Sequence, residues 1–277
     1  GYGSGRTNIT NLINSSGVVG ADVTGVGSAR NALAAAGYGG DKAIFGFGTT
    51  GSFTAITNLV NNSGVVAADV SGVGTARMEL AAATYGTDKA IFGFGTNSSE
   101  GTPLSLTNLV NNSGVVASDT TGVGTDKRTL AATGYGTDKA IFGYGLDSGN
   151  SSTTNLVSNS GVVATDTSGV GTARYGLAAA RYGGDKALFA YGYASSGNVS
   201  LKNLVSNLGV VAADVSGVGT ARQGVAAAGY GGDKAIFGYG SSHVSNLVSN
   251  TGVVAADVSG VGTSRQYLAA AGYSTSA

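Results

Sequence analysis

The chain has no cysteine and no tryptophan, and only one proline and one methionine among 277 residues. The missing cysteines exclude disulfides and thiolate chemistry without fixing a compartment. Charge is scarce too: 15 basic residues offset 15 acidic ones, leaving a formal net charge of zero. Nucleic acid or an anionic membrane as the main partner would call for a basic excess, and none exists. No uninterrupted apolar run reaches the roughly 18 residues expected of a spanning helix. No basic-then-apolar leader opens the sequence. With Met78 as its only methionine, the sequence reads as a processed chain or a piece of a longer one. Good helix formers such as Glu, Gln and Lys are few. What is present is glycine (49 residues) with Ala, Val, Ser, Thr, Tyr and Phe, and 42% of residues are hydrophobic. That is enough to bury a core and argues against disorder.

One unit is written six times. The phrase GVVAADVSGVGTAR and its variants place an aspartate at Asp22, Asp69, Asp119, Asp166, Asp214 and Asp257. A second phrase, DKA, recurs at Asp41, Asp88, Asp138, Asp185 and Asp233. Repeats of about 40–50 residues suit the four-stranded blades of a β-propeller. In the fourth copy YGLAAARY (Tyr175–Tyr182) reads as the first strand, with small residues where strands crowd an axis. A GGD turn leads to KALFAY (Lys186–Tyr191), a variable loop follows, and strands of the TTNLVSN and GVVAADV types complete the unit. Strands such as KAIFGYG are apolar on both pleat faces, as a blade between two neighbours requires.

The expected fold is thus all-β: one domain over residues 1–277, a six-bladed propeller of four-stranded antiparallel blades closed by strands from both termini. A β-solenoid competes, but its coils are usually shorter and need capping ends. The chain ends after AAAGYSTSA, where other copies continue into DKAIF, and opens with GYG (Gly1–Gly3), which matches the tail of that strand. The sixth blade should be thin at its second strand, or completed by residues outside the sequence.

The series Arg222 to Gly240, RQGVAAAGYGGDKAIFGYG, resembles the kelch repeat, with its Arg, small and apolar residues and glycine-ended apolar strand. The resemblance covers all six units. It departs in two ways: Gly-aromatic-Gly replaces the double glycine, and the outer-strand tryptophan is absent. The near-identity of the copies is similar to the repetitive kelch-like proteins of phages, cyanophages in particular. This resemblance implies a propeller fold, a loop face that docks partners, and a virion, tail-associated or extracellular setting. Copper-oxidase members of that superfamily use a Cys-linked tyrosine, for which this chain lacks the cysteine.

Most charges belong to the repeat. The Asp-Lys pairs sit in glycine loops, but a phosphate loop needs Gly-Lys-Ser/Thr entering a helix, whereas Lys186 and its equivalents enter a strand. A hairpin turn is the reading. The second set is Asp22/Arg30, Asp69/Arg77, Asp119/Lys127, Asp166/Arg174, Asp214/Arg222 and Asp257/Arg265, each eight residues apart. These are expected to tie strands or blades together structurally; a charged axial channel is the functional alternative. GVGTAR is not GxGxxG and precedes a strand, so it does not suggest a dinucleotide site. His243 alone supplies neither a metal centre nor a Ser-His-acid triad, so no metal, cofactor or catalytic residue is expected.

Function should lie where the copies disagree. One variable region is the loop after the second strand; the other is the dipeptide after the Arg position, from Asn31-Ala32 to Gln266-Tyr267. Up-down strand order puts both on one face. All but four aromatics occupy repeated positions, and the four exceptions, Phe53, Tyr175, Tyr193 and Tyr267, fall in these regions. They are the candidate binding residues, since exposed aromatics on rigid loops anchor partners. The expectation is a non-enzymatic structural or binding module, with a protein partner on that face. Repeated shallow glycan sites are the alternative.

Overall fold

The computed structural model describes residues 1–273, and these form an all-β chain. The first unit contributes β1 (Ala34–Tyr38), β2 (Lys42–Gly46) and β3 (Thr57–Val60). The second contributes β4 (Ala81–Tyr85), β5 (Lys89–Gly93) and β6 (Thr107–Val110). In the third, β7 (Ala131–Tyr135) precedes the longer hairpin of β8 (Lys139–Leu146) and β9 (Asn150–Val157). The fourth holds β10 (Ala178–Tyr182), β11 (Lys186–Ala190), a short ribbon of β12 (Tyr193–Ala194) and β13 (Gly197–Asn198), and β14 (Lys202–Val205). The fifth holds β15 (Ala226–Tyr230), β16 (Lys234–Gly238) and β17 (Ser245–Val248). Within each unit the main strands pair antiparallel in sequence order.

The Asp-Lys phrase is the hairpin turn between first and second strands. Tyr38 pairs with Lys42, and Gly39 and Gly40 between them take left-handed φ of 61° and 82°, which glycine adopts without a Cβ penalty. Lys42 Nζ lies 2.8 Å from Asp41 Oδ1 on the turn. The Gly39 amide donates to the Asp88 carbonyl of the next unit, and Gly86, Gly136 and Gly183 repeat this contact.

The expected fourth strand is not a regular one. GVVAADV joins its unit only at two isolated bridges, such as Val60 with Val66 and Thr57 with Val70, so the main sheet of each of the first five units has three strands. The cause is a side chain. Asn58 Nδ2 donates to the Ala67 carbonyl and to Asp69 Oδ1, taking the place of ladder bonds between the two bridges. The register shifts by one residue there, as in a bulge. The sixth unit departs further. Thr10 and Ile13 bridge Val23 and Val19, and residues 268–272 form no strand.

Consecutive units pack first strand beside first strand: β1 by β4, β4 by β7, β7 by β10 and β10 by β15. The core lies between units. Phe47 of the first unit meets Phe92 of the second edge-on at 5.1 Å, and Phe94–Phe142, Tyr144–Phe189 and Tyr191–Phe237 repeat the contact. Such edge contacts add about 0.5–1.5 kcal/mol each beyond burial. A Cβ on Gly46 would lie 2.7 Å from Phe92 Cζ, so the small residue admits the neighbour's ring.

At one end of the unit stack, six backbone amides form a closed cycle. Glu79 donates to Ala32, Thr129 to Glu79, Gly176 to Thr129, Gly224 to Gly176, Tyr267 to Gly224 and Ala32 to Tyr267. All six residues hold left-handed φ between 51° and 65°. Four are not glycine, a cost of about 1–2 kcal/mol each, which the cycle's hydrogen bonds offset.

Candidate binding face

Three of the repeated arginines, Arg77, Arg174 and Arg222, each join three segments. Arg174 is fully buried; its guanidinium lies 4.3 Å over the Tyr144 ring of the preceding unit. Nε donates to the Tyr191 carbonyl at 2.9 Å, Nη1 to Thr172 and Nη2 to Asn203 Oδ1. Burial lowers the Arg174 pKa, but the stacking ring and these acceptors support the charge. Arg77 and Arg222 repeat the arrangement. In the third copy Lys127 stands in for Arg and reaches Asn155 Oδ1 and Thr153 Oγ1 instead.

The ion pairs run between copies of the phrase. Arg30 faces Asp69, Arg77 Asp119, Lys127 Asp166, Arg174 Asp214, Arg222 Asp257 and Arg265 Asp22, at 3.6–3.9 Å. Residues eight apart in sequence therefore serve different pairs. Each Asp is held more firmly by hydrogen bonds than by its basic partner: Asp166, which faces Lys127, accepts from the Thr125 hydroxyl at 2.6 Å, the Thr125 amide and Asn155 Nδ2. Desolvation pushes its pKa up, but these donors outweigh it and hold the carboxyl below its ordinary value. Asp22 and Thr263 make the same link between opposite ends of the chain.

The aromatic of Gly-aromatic-Gly takes φ of 61–66° in Phe47, Phe94, Tyr144, Tyr191 and Tyr239. This turn aims the two variable regions at each other. Asn31 bridges Thr49, Met78 Thr96, Arg128 Leu146 and Tyr175 Tyr193, so the dipeptide and the loop after the second strand meet on one face. That face surrounds the hydrogen-bonded cycle.

Of the four candidate aromatics, the structure brings two into contact. The Tyr175 and Tyr193 rings lie 5.4 Å apart, tilted by 40°. Phe53 bridges Thr49 in the first unit, three steps away round the cycle, and is half-buried. Tyr267 belongs to the cycle itself, and burial, then Glu79 and Tyr175, raise its pKa. Beside them lie polar groups that an aromatic census passes over. Arg128 Nη1 pairs with Glu79 Oε2 at 2.7 Å. Thr129 Oγ1 and Gln223 Oε1 are buried without a partner. All four sit in the variable dipeptides, which was the available signal.

Tyr2 is the other addition. By sequence GYG matches Gly-aromatic-Gly, a register in which Tyr2 is the packed aromatic. Instead Tyr2 bridges Gln266 and is 41% exposed, while Gly1 takes the place of Gly48. The Gly1 nitrogen donates to the Arg30 carbonyl as the Gly48 amide does to that of Arg77. Loop lengths vary between copies, so spacing did not fix this register.

His243 is exposed on its loop. Among the described residues no three His, Cys, Asp or Glu side chains converge as metal ligands, and no helix is long and apolar enough to cross a membrane. The chain matches no protein-family model, and comparison with curated proteins gives no match.

Proposed function

We propose that the chain is a six-bladed β-propeller acting as a non-enzymatic binding module, whose loop face docks a protein partner. The propeller reading is supported by the six-membered amide cycle, the side-by-side packing of first strands and the Asp22–Thr263 link. The docking reading rests on one observation: Tyr175 and Tyr193 form a joined, partly exposed aromatic pair on the face where the copies differ. Tyrosine pairs of this kind offer apolar area at small entropic cost, with hydroxyls for a polar rim. By resemblance to the kelch-like proteins of phages, the setting is a virion or its tail.

A glycan-binding propeller would present an equivalent site on each blade. The paired aromatics occur in one unit, which favours a single docking position. The test compares the wild-type chain with Tyr175→Ala/Tyr193→Ala on a glycan array and against virion proteins. A virion partner bound at one per chain and lost in the double variant is the expected result. A partner retained by the double variant, or glycan binding at several equivalent sites, would overturn it.

A further inference from the structure

One of the six repeated basic positions differs from the rest. Where the other copies carry Arg30, Arg77, Arg174, Arg222 and Arg265, the third carries Lys127. A second departure lies against it. Two residues before the repeated Asn the copies have Ile9, Ile56, Leu106, Leu201 and Val244, but the third has Thr153. The two exceptions meet: Lys127 Nζ donates to Thr153 Oγ1 at 2.9 Å, and Thr153 Oγ1 lies 3.0 Å from Ser151 Oγ.

The exchange of Arg for Lys changes the available chemistry. A guanidinium stays protonated in proteins and is no nucleophile, whereas a desolvated amine is one. Lys127 is fully buried, with Nζ 5.5 Å from the centre of the Phe94 ring. Burial lowers its pKa, and Asp166 only partly restores it. The amine donates to Asn155 Oδ1 at 2.8 Å, one bond from the carboxamide carbon Cγ.

Asn155 is fully buried as well, and its orientation is fixed. Nδ2 donates to the Ala164 carbonyl at 3.1 Å and to Asp166 Oδ1 at 2.8 Å. Asp166 Oδ1 also stands 3.6 Å from Lys127 Nζ, so one carboxylate oxygen faces both nitrogens. In the other five copies an Arg Nη2 occupies the place of this amine against the Asn Oδ1.

We propose that Lys127 and Asn155 join in an intramolecular isopeptide bond, with Asp166 as the proton relay. The Nζ lone pair adds to Cγ while the carbonyl π pair moves onto Oδ1. When that pair returns, the Cγ–Nδ2 bond breaks and its electrons leave with the nitrogen. Of the three protons on the Lys127 ammonium, two pass in turn through the Asp166 carboxylate to Nδ2, which departs as ammonium. The third stays on the new amide, so atoms and charge balance with no other reactant. Holding the groups in contact at a buried site supplies the effective concentration that free side chains lack. Thr153 is a positioning residue that steadies Nζ. The bond ties the segment before β7 to β9 within the third unit, and the inference does not depend on what the loop face binds.

The experiment is mass spectrometry of the folded, purified chain. Its intact mass should fall short of the sequence by one ammonia. Trypsin should release residues 90–128 joined to residues 140–174, because the linked Lys127 is no longer cleaved. Lys127→Arg restores the residue of the other copies, so it should fold and show the full mass. Asp166→Asn should keep a cooperative thermal transition and also show the full mass. Full mass in the wild-type chain would overturn the proposal. So would a lost ammonia without the joined peptides, which marks a backbone succinimide instead. Complete linking in Asp166→Asn would overturn the relay assignment.

Discussion

Arg174 and Arg30 occupy the same position in different units, and the structure assigns them unequal worth. Arg174→Met keeps most of the buried stem and removes the guanidinium. It leaves the Tyr191 and Thr172 carbonyls and Asn203 Oδ1 without their donor, at about 1–3 kcal/mol for each acceptor left unsatisfied. Loss of the stack on Tyr144 adds up to about 2 kcal/mol where the cation is desolvated. Asp214, partly exposed and 3.9 Å away, contributes little, since exposed pairs are worth about 0–1 kcal/mol. Because neighbours relax, a loss of about 4 kcal/mol is expected. Arg30→Met removes one hydrogen bond, from Nη2 to Asn58 Oδ1, the 3.8 Å approach of Nη1 to the partly exposed Asp69, and two nitrogens that have no hydrogen-bond partner. Its cost should be about 1 kcal/mol or less. Urea unfolding of both variants, compared by midpoint at constant slope, measures the difference. Equal losses, or a larger loss at Arg30, would refute the reasoning.

Two pH effects follow from buried charge. The Gly1 amine is lowered to about 5 by burial, then by Arg265 and Arg30. A basic group with a depressed folded pKa contributes stability that is complete above its unfolded value, near 8, and lost as pH falls toward 5. Tm should therefore decline across that window, by the equivalent of at most about 4 kcal/mol, and acetylating the amine should remove the decline; an unchanged profile contradicts the placement of Gly1. Asp166 is held below its ordinary pKa by Thr125 and Asn155 against the desolvation that raises it, so its contribution is complete above about pH 4 and lost in stronger acid. Asp166→Asn should cost about 1–3 kcal/mol at neutral pH and reduce the acid sensitivity seen in Tm. A variant that unfolds at the same temperature as wild type at pH 7 would show that these hydrogen bonds carry no net stability.

The strands and turns were legible because the pattern speaks through local chemistry. KAIFG is apolar on both faces, and Tyr38 to Lys42 carries the glycines a tight turn needs. Other features were hidden by side chains acting at a distance. GVVAADV alternates like a strand, but Asn58 takes the bonds that would have made it one. Asp69 and Arg77 are close in sequence, yet the chain carries Arg77 on to Asp119. Exposed tyrosines drew attention to the loop face, whereas Glu79, Arg128, Thr129 and Gln223 gain meaning only from the cycle that gathers them.

The proposed propeller requires the first and last units to meet, and a disulfide tests that directly. Tyr2 and Gln266 exchange both backbone hydrogen bonds at 2.9 Å, a pairing that sets Cα atoms about 5.5 Å apart and within disulfide range. The chain has no cysteine of its own, so Tyr2→Cys/Gln266→Cys introduces the only pair. Mild oxidation should give an intramolecular disulfide in the folded monomer, seen as faster migration on a non-reducing gel and abolished by prior unfolding in urea. A chain that stays reduced, or links only to other chains, would contradict a ring in which residues 2 and 266 are neighbours.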